Sequence, residues 1–201
     1  MSDTVDPDAL YRLAESQAGY FTTHQAERIG MHRSTLRHHA RPNGRYQRAR
    51  RGLYRLRHFP SSPHEHVVAA WLPLEGTGAL VSHDSALELY ELSDTIPDAV
   101  HISIPRTTRG RRPRSGVRFH TMEHPPTSNE IRIVHGLPVT TPERTIVDAF
   151  EAGSQVEQVE MAVRQALDRG LTTRRRLRSA GSTRSRRVQA FIERSLMEPA
   201  E

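Results

Sequence analysis

Side chains that can bond to bases and phosphates are concentrated between residues 32 and 51. Hydroxyl, imidazole and guanidinium groups are those that proteins use to hydrogen-bond base edges and phosphate oxygens. The first group of candidates is His32, Arg33, Ser34, Thr35, Arg37 and His38. The second group is Arg41, Arg45, Arg48, Arg50 and Arg51. This run predicts contact with a nucleic acid, provided that the local structure presents these groups on one surface.

A helix-turn-helix is the element that can present the first group. The motif needs a small residue where its helices cross, a turn residue that tolerates positive φ, and an apolar anchor under the second helix. Ala26, Gly30 and Leu36 supply these three features in that order. Thr22 and Gln25 form a capping-box pattern that starts the first helix, which we expect to end near Ile29. The second helix is then expected over residues 33–40, with its polar groups facing solvent.

A strand hairpin is expected to present the second group. Pro42-Asn43-Gly44 ends the second helix, and two short strands follow at residues 45–48 and 52–56. Arginines on such a hairpin, the wing of the motif, would donate hydrogen bonds to phosphate oxygens of the DNA. Ser61-Ser62-Pro63 is the expected boundary. The sequence therefore predicts an α+β fold with a winged helix-turn-helix DNA-binding domain at 1–60, followed by a larger mixed α+β C-terminal domain at 61–201.

Charge supports a polyanionic partner. All 29 basic residues of the 201-residue chain are arginine, and the formal net charge is +6. Residues 28–64 hold ten arginines and no Asp or Glu. A solvated basic face is the alternative, but such a face usually interleaves acids with its arginines. Without lysine, a Walker phosphate-binding loop and the usual lysine-containing nuclease site are disfavoured. Without cysteine, disulfides, thiolate zinc sites and a cysteine nucleophile are excluded.

The C-terminal segment predicts both helices and strands. Helices are expected near 64–74 and 82–91, with Ser82 capping the second. Strands are expected at 100–104, 117–121, 131–134 and 137–140. Thr140 or Thr141 caps a further helix, in which Pro142 suits the first turn. An apolar stripe at 156–167 and a helix at 184–196 complete the segment. No run of about 18 apolar residues or signal peptide is present, so we expect a cytoplasmic protein with no membrane contact.

The sequence offers only weak candidates for a metal site or a catalytic site. His64 and His66 are two residues apart and would leave a helix on different faces. His120 and His124 lie among strand and turn signals. The sequence His83-Asp84-Ser85 has hydrolase residue types, but no nucleophile elbow. Glu143 and Asp148 are a poor carboxylate pair, and the nearby Arg144 predicts ordinary salt bridging at the surface. The motif at 138–148 fits helix capping better than a catalytic loop. We therefore predict no metal, no cofactor and no enzymatic activity.

Two further basic clusters lie outside the winged helix. They comprise Arg109, Arg111, Arg112 and Arg114, and then Arg174, Arg175, Arg176 and Arg178. A loop and a solvated helix start explain them as well as function does. The functional alternatives are a second DNA contact or a surface for an acidic patch on a partner protein.

Two segments resemble a known family. Residues 26–30 with Leu36, and then Arg50-Arg51-Gly52-Leu53-Tyr54-Arg55-Leu56, are similar to the N-terminal winged helix of AbiEi-type antitoxins of type IV toxin–antitoxin systems. The segment 136–148, GLPVTTPERTIVD, is similar to the strand-to-helix signature of that family's C-terminal domain. The resemblance implies a bacterial antitoxin that represses its own operon at inverted repeats in the promoter. It also implies that the protein counteracts a nucleotidyltransferase-type toxin, directly or indirectly.

Two other functions remain open from the sequence. One is a stand-alone transcriptional regulator with no toxin partner. The other is a nuclease-like C-terminal domain guided to double-stranded DNA by the winged helix, which the missing lysine and the lack of clustered carboxylates disfavour. Because no long heptad or exposed apolar stripe is present, we expect a monomer in solution.

Overall fold

The chain divides after Glu75 into two units, residues 1–75 and 76–201. The computed structural model describes residues 7–94, 96–108, 114–122 and 125–197. The residues between the hairpin and Glu75 therefore belong to the N-terminal unit rather than to the C-terminal one. A division into functional domains after residue 60 stays a proposal.

The N-terminal unit combines short helices with a three-stranded antiparallel sheet. Its elements are α1 (Pro7–Glu15), β1 (Tyr20–Thr22), α2 (Thr23–Arg28), α3 (Arg33–His39), β2 (Tyr46–Arg50), β3 (Leu53–Leu56), α4 (Glu65–Trp71) and a 3-10 turn (Leu72–Leu74). The strand order is β1-β3-β2. The predicted helix-turn-helix and hairpin are both present. Strand β1 was not predicted, and it pairs with β3 from Tyr20 opposite Arg55 to Thr22 opposite Leu53.

An aromatic and aliphatic core joins the helices of this unit to its sheet. Phe21 is fully buried, and its ring meets Tyr46 edge-on at 5.1 Å and stacks on Tyr54 at 5.8 Å. Ala26 and Leu36, the expected crossing residue and anchor, are 0% and 1% exposed. The full set of buried core residues is Leu10, Ala14, Phe21, Ala26, Met31, Leu36, Tyr46 and Tyr54. This core fixes α3 on the sheet, so the polar side of α3 faces outward.

The expected capping box at the start of α2 is confirmed. The Thr22 hydroxyl accepts a hydrogen bond from the Gln25 backbone N–H at 3.1 Å, and the Gln25 side-chain oxygen accepts one from the Thr22 N–H at 2.9 Å. Two N–H groups that the helix itself cannot pair are thereby satisfied.

Removing this cap should weaken the N-terminal unit. We expect Thr22→Ala to lower its free energy of unfolding by about 1 kcal/mol, because one helix N–H loses its acceptor. Urea unfolding followed by the fluorescence of Trp71, the single tryptophan, reports on this unit. Thr23→Ala is the control, since it removes the same atoms from a hydroxyl that makes no hydrogen bond to the described residues. Equal losses in the two variants would contradict the capping role.

The C-terminal unit is a mixed five-stranded sheet with helices. Its strands are β4 (Leu80–Val81), β5 (Val100–Ile104), β6 (Val117–Thr121), β7 (Ile131–Val134) and β8 (Leu137–Thr140). Its helices are α5 (His83–Leu89), α6 (Pro142–Ala152), α7 (Val156–Asp168), α8 (Arg174–Ser182) and α9 (Arg186–Met197), with 3-10 turns at Arg106–Thr108 and Ser128–Glu130. The strand order is β6-β5-β4-β8-β7. β5–β6 and β4–β8 are parallel, whereas β4–β5 and β7–β8 are antiparallel.

The two helix caps predicted in this unit differ from the structure. Ser82 and Thr141 both stand at N-cap positions, but neither side chain makes a capping hydrogen bond. The Ser82 hydroxyl instead lies 2.8 Å from His83 Nδ1 and accepts a hydrogen bond from Ser103. The prediction of Pro142 in the first turn of α6 is confirmed. None of the helices in the described residues is long and apolar enough to cross a membrane.

Candidate nucleic-acid interface

Helix α3 carries most of its predicted DNA-facing groups on an open surface. Leu36 is buried against the core, and Met31 is buried just before the helix. The side chains of His32, Arg33, Ser34, Arg37 and His38 are exposed, whereas that of Thr35 is half-buried. The Arg33 side chain is 69% exposed. The buried anchor thus holds the helix while donors and acceptors face solvent.

The turn before α3 is built from the residues that the sequence singled out. Gly30 has a φ of +86°, which residues with a Cβ rarely adopt. Its backbone N–H donates to the Glu27 carbonyl oxygen at 3.0 Å, and the Met31 N–H donates to the Ala26 carbonyl oxygen at 3.0 Å. Ile29 packs partly buried against the core. These contacts end α2 and set the start of α3.

The wing strand β2 is open on both sides after its first residue. Tyr46 is buried, while the next four residues are exposed. The register of the pairing between β2 and β3 shifts between Arg48 and Arg50 of β2, which marks a bulge. The predicted wing arginines Arg45, Arg48, Arg50 and Arg51, together with Arg41 before the strand, are all exposed. A bulge raises the local twist of a strand and redirects its side chains.

Arg57 ties the loop between α3 and β2 to the hairpin. Its Nε donates to the Gly44 carbonyl oxygen at 2.6 Å, and its Nη2 donates to those of Arg41 and Tyr46, both at 3.3 Å. Gly44 is required for this loop, because a Cβ there would lie 2.1 Å from the His39 carbonyl oxygen. Arg57 is therefore a structural residue within the basic segment.

Arg55 is also structural. Its Nη2 donates to Glu65 at 2.9 Å and to the Pro60 carbonyl oxygen at 3.1 Å. The sequence showed a uniform run of arginines and gave no sign that two of them serve the fold. Neither Arg55 nor Arg57 belongs to the residues that we predicted to bind DNA.

The electrostatics of the surface depend on one acidic residue. Glu27 pairs with Arg33, and this hydrogen bond lowers the pKa of Glu27 and raises the pKa of Arg33. Burial is the main cause that lowers the pKa of His39, and Arg45 and His38 lower it further. Burial, the charge of Arg45 and the neighbouring His38 together make an extra proton on His39 unfavourable.

The second basic cluster lies at the start of α8. Arg174, Arg175, Arg176 and Arg178 are exposed. Arg174 donates to the Leu196 carbonyl oxygen, and Arg178 pairs with Glu193 at 3.1 Å. The first cluster is placed only in part, because Arg109, Arg111 and Arg112 lie outside the described residues, as does His124 of the candidate histidine pair. Arg114 is described and half-buried.

Three histidines that the sequence did not connect meet in the C-terminal unit. The rings of His83 and His120 stack at 3.6 Å, and the His101 ring lies 5.0 Å from that of His120. Burial lowers the pKa of all three, that of His120 to about 4. The buried His101 Nδ1 and His120 Nε2 have no hydrogen-bond partner among the described residues. We call this group the histidine cluster.

A buried ion network borders the same region. Asp148 accepts from Arg144 Nε at 2.8 Å and from Arg184 Nη2 at 2.5 Å. Arg144 also reaches Glu130 at 3.2 Å, and Arg184 reaches Glu151 at 2.6 Å. The salt bridging predicted for Arg144 is present, but it is buried rather than at the surface, because Arg144 and Asp148 are 8% and 6% exposed. Burial raises the pKa of Asp148, and the two guanidinium groups oppose that rise.

A cavity of about 540 Å³ lies between the network and the histidine cluster, lined by residues that include His83, His120, Arg144, Asp148 and Arg184. Both arginines are already paired with carboxylates. Across the described parts of the chain, no three His, Asp or Glu side chains are placed to hold a metal ion. Glu143 accepts from Thr172 rather than joining Asp148.

A helix-turn-helix beside an arginine-bearing hairpin is the architecture of DNA-binding transcriptional regulators. Residues 8–57 match the family model described as "Transcriptional regulator, AbiEi antitoxin". Residues 77–198 match the model of the AbiEi antitoxin C-terminal domain. The chain belongs to the AbiEi antitoxin family, as its sequence motifs indicated.

Comparison of structures supports the fold. The chain is similar to the crystal structure of the RV2827C protein from Mycobacterium tuberculosis, with a TM-score of 0.60 and 17% sequence identity. The match covers 95% of this chain and 76% of that chain. At this identity the likeness concerns the fold alone, and it confirms the predicted α+β class. A comparison with curated proteins finds no match.

Proposed function

We propose that the chain is a DNA-binding antitoxin that represses its own operon at inverted repeats and counteracts a nucleotidyltransferase-type toxin. The observation that carries the DNA-binding part is the set of seven exposed arginines on α3, on β2 and in the residues that flank them, with Glu27 as the single acidic residue between positions 16 and 64. The seven arginines are Arg33, Arg37, Arg41, Arg45, Arg48, Arg50 and Arg51. Family membership supports the antitoxin part.

In this proposal α3 enters the major groove of double-stranded DNA. The groove is wide enough for a helix, and its base edges carry a distinct donor and acceptor pattern for each base pair. His32, Arg33, Ser34 and Thr35 belong to the N-terminal half of α3 or directly precede it, where such helices contact bases. Arg37, His38 and the wing arginines then reach the phosphates on either side.

The arginines of α8 are proposed to add a second DNA contact. Arg175 and Arg176 are exposed and belong to the first turn of a helix whose buried side is held by Leu177. Guanidinium groups pair well with phosphates. An acidic surface on the toxin would fit the same cluster, and the two alternatives differ in whether free DNA competes with the toxin for the protein.

The test of DNA binding is a titration of the full chain with its own upstream promoter region and with a scrambled duplex. We expect preferential binding to the promoter, in two steps if paired half-sites are filled. Arg37→Ala should weaken binding about tenfold and reduce the slope of log affinity against log salt by about one unit, because one phosphate contact is lost.

Arg164→Ala is the matched control, because Arg164 is exposed on α7 outside both basic clusters. It should leave the affinity and the salt slope unchanged. An Arg33→Ala/Arg37→Ala double variant with wild-type affinity would remove α3 from the interface. The antitoxin part is tested separately: if a nucleotidyltransferase gene adjoins that of this chain, growth of cells that express it is compared with and without this chain.

A further inference from the structure

One acidic residue interrupts the basic helix-turn-helix. Between residues 16 and 64 the sequence contains a single Asp or Glu, Glu27. A carboxylate beside a phosphate-binding surface repels DNA and weakens binding to every sequence alike. Its presence at this one position therefore calls for a benefit that is specific to the site.

Neither Glu27 nor Arg33 is placed to stabilise its own helix. Glu27 stands in the last turn of α2, and Arg33 is the first residue of α3. Helix ends favour the opposite charges, with acids at the N-terminus and bases at the C-terminus. The pair thus runs against both helix dipoles, and its stabilising contribution at an exposed position is small.

The geometry of the pair points to the orientation of one guanidinium group. Glu27 Oε1 accepts from Arg33 Nε, and Oε2 lies 3.5 Å from Nη2. Glu27 thereby engages one edge of the arginine fork. The outer edge, formed by Nη1 and the second N–H of Nη2, remains directed away from Glu27. Arg33 keeps 69% of its side chain exposed while it is held in this way.

We propose that Glu27 is a positioning residue that fixes Arg33 for bidentate recognition of a guanine in the major groove. Two parallel N–H groups at the outer edge of a guanidinium match the O6 and N7 acceptors of guanine, a pattern that no other base offers. An arginine held in advance loses less side-chain entropy on binding. Glu27 thus lowers the affinity for DNA of any sequence and raises the selectivity for sites that carry the guanine. This inference rests on the proposed function.

The first test compares Glu27→Gln with the wild type on the promoter duplex and on the scrambled duplex. Loss of the negative charge should strengthen binding to the scrambled duplex, while loss of the oriented fork should weaken binding to the promoter. We expect the ratio of the two affinities to fall about tenfold, the discrimination of one bidentate contact. Glu15→Gln is the charge-matched control on an exposed residue of α1, and it should leave the ratio unchanged.

The second test changes the DNA. Each guanine of the bound site is replaced in turn by 7-deazaguanine, which lacks the N7 acceptor. The wild type should lose affinity at one guanine in each half-site. At that same guanine Glu27→Gln should lose less, because its amide can accept from Nε but not also from Nη2, and Arg33→Ala should be insensitive.

The outcomes separate the two proposals. Equal increases in affinity of Glu27→Gln for both duplexes, with the pattern of guanine sensitivity unchanged, would show that Glu27 only repels DNA and would overturn the positioning role. A wild-type protein that does not distinguish the promoter from the scrambled duplex would instead contradict the proposed function itself.

Discussion

Asp148→Asn is expected to lower the free energy of unfolding of the C-terminal unit by about 3 kcal/mol. The Asp148 side chain is 7% exposed and lies between those of Arg144 and Arg184, which are 9% and 10% exposed. Asparagine keeps the shape of the side chain, so no cavity forms. It removes the negative charge, however, from between two desolvated guanidinium groups, which keep Glu130 and Glu151 among their counter-charges.

Hydrogen exchange during urea unfolding of the full chain measures this effect where it should occur. Peptides from α6 and α8 should lose protection, while the Trp71 fluorescence transition of the N-terminal unit stays in place. Asp168→Asn is the matched control, because Asp168 is exposed at the end of α7 and the substitution is chemically identical. A loss below about 1 kcal/mol in Asp148→Asn would show that desolvation cancels the attraction within the network.

Acid should destabilise the C-terminal unit through the histidine cluster. Burial lowers the pKa of His83, His101 and His120 in the folded state, so these rings stay neutral where an unfolded chain would bind protons. Among the described residues, the charged groups around them are Asp84 and Asp98, which favour protonation, and Arg118, Arg144 and Arg184, which oppose it. The stabilisation is present above the unfolded-state pKa of about 6.5 and is lost as the pH falls towards 4.

The slope of unfolding free energy against pH gives the number of protons involved. Each histidine that is neutral only in the folded state contributes about 1.4 kcal/mol per pH unit within that window. We expect His120→Asn to reduce the slope by up to one such contribution. An identical slope in the wild type and His120→Asn would contradict the assignment of His120 as a neutral buried ring.

Local patterns in the sequence were sufficient for the helix-turn-helix and for most strands. The Thr22–Gln25 box, the glycine at position 30 and the anchor at position 36 act within a few residues of one another, so their spacing predicts their structure. Strand β1 was not predicted because its three residues become a strand only by pairing with β3, more than thirty residues later. Strand β4 has two residues and is defined by its neighbours in the same way.

The candidate site shows the same limit. The exposure of the arginines on α3 and β2 followed from periodicity and turn signals. The structural roles of Arg55 and Arg57 did not, because they depend on Glu65 and on loop carbonyl groups that only the folded hairpin brings near. The histidine cluster draws one residue each from α5, β5 and β6. A histidine inside an apolar strand, as in Val100-His101-Ile102, was the one signal that could have indicated a buried ring.

The hydrogen bonds of Arg57 bear on which DNA sequences the protein would select. Because they join the α3–β2 loop to the hairpin, the distance between helix and wing is set before any ligand arrives. Because the protein holds this helix-to-wing distance fixed, a duplex whose groove width does not match it must deform in order to bind. On the proposed function, base steps that the protein never touches would influence affinity through their stiffness, with flexible pyrimidine–purine steps favoured between the helix and wing contacts.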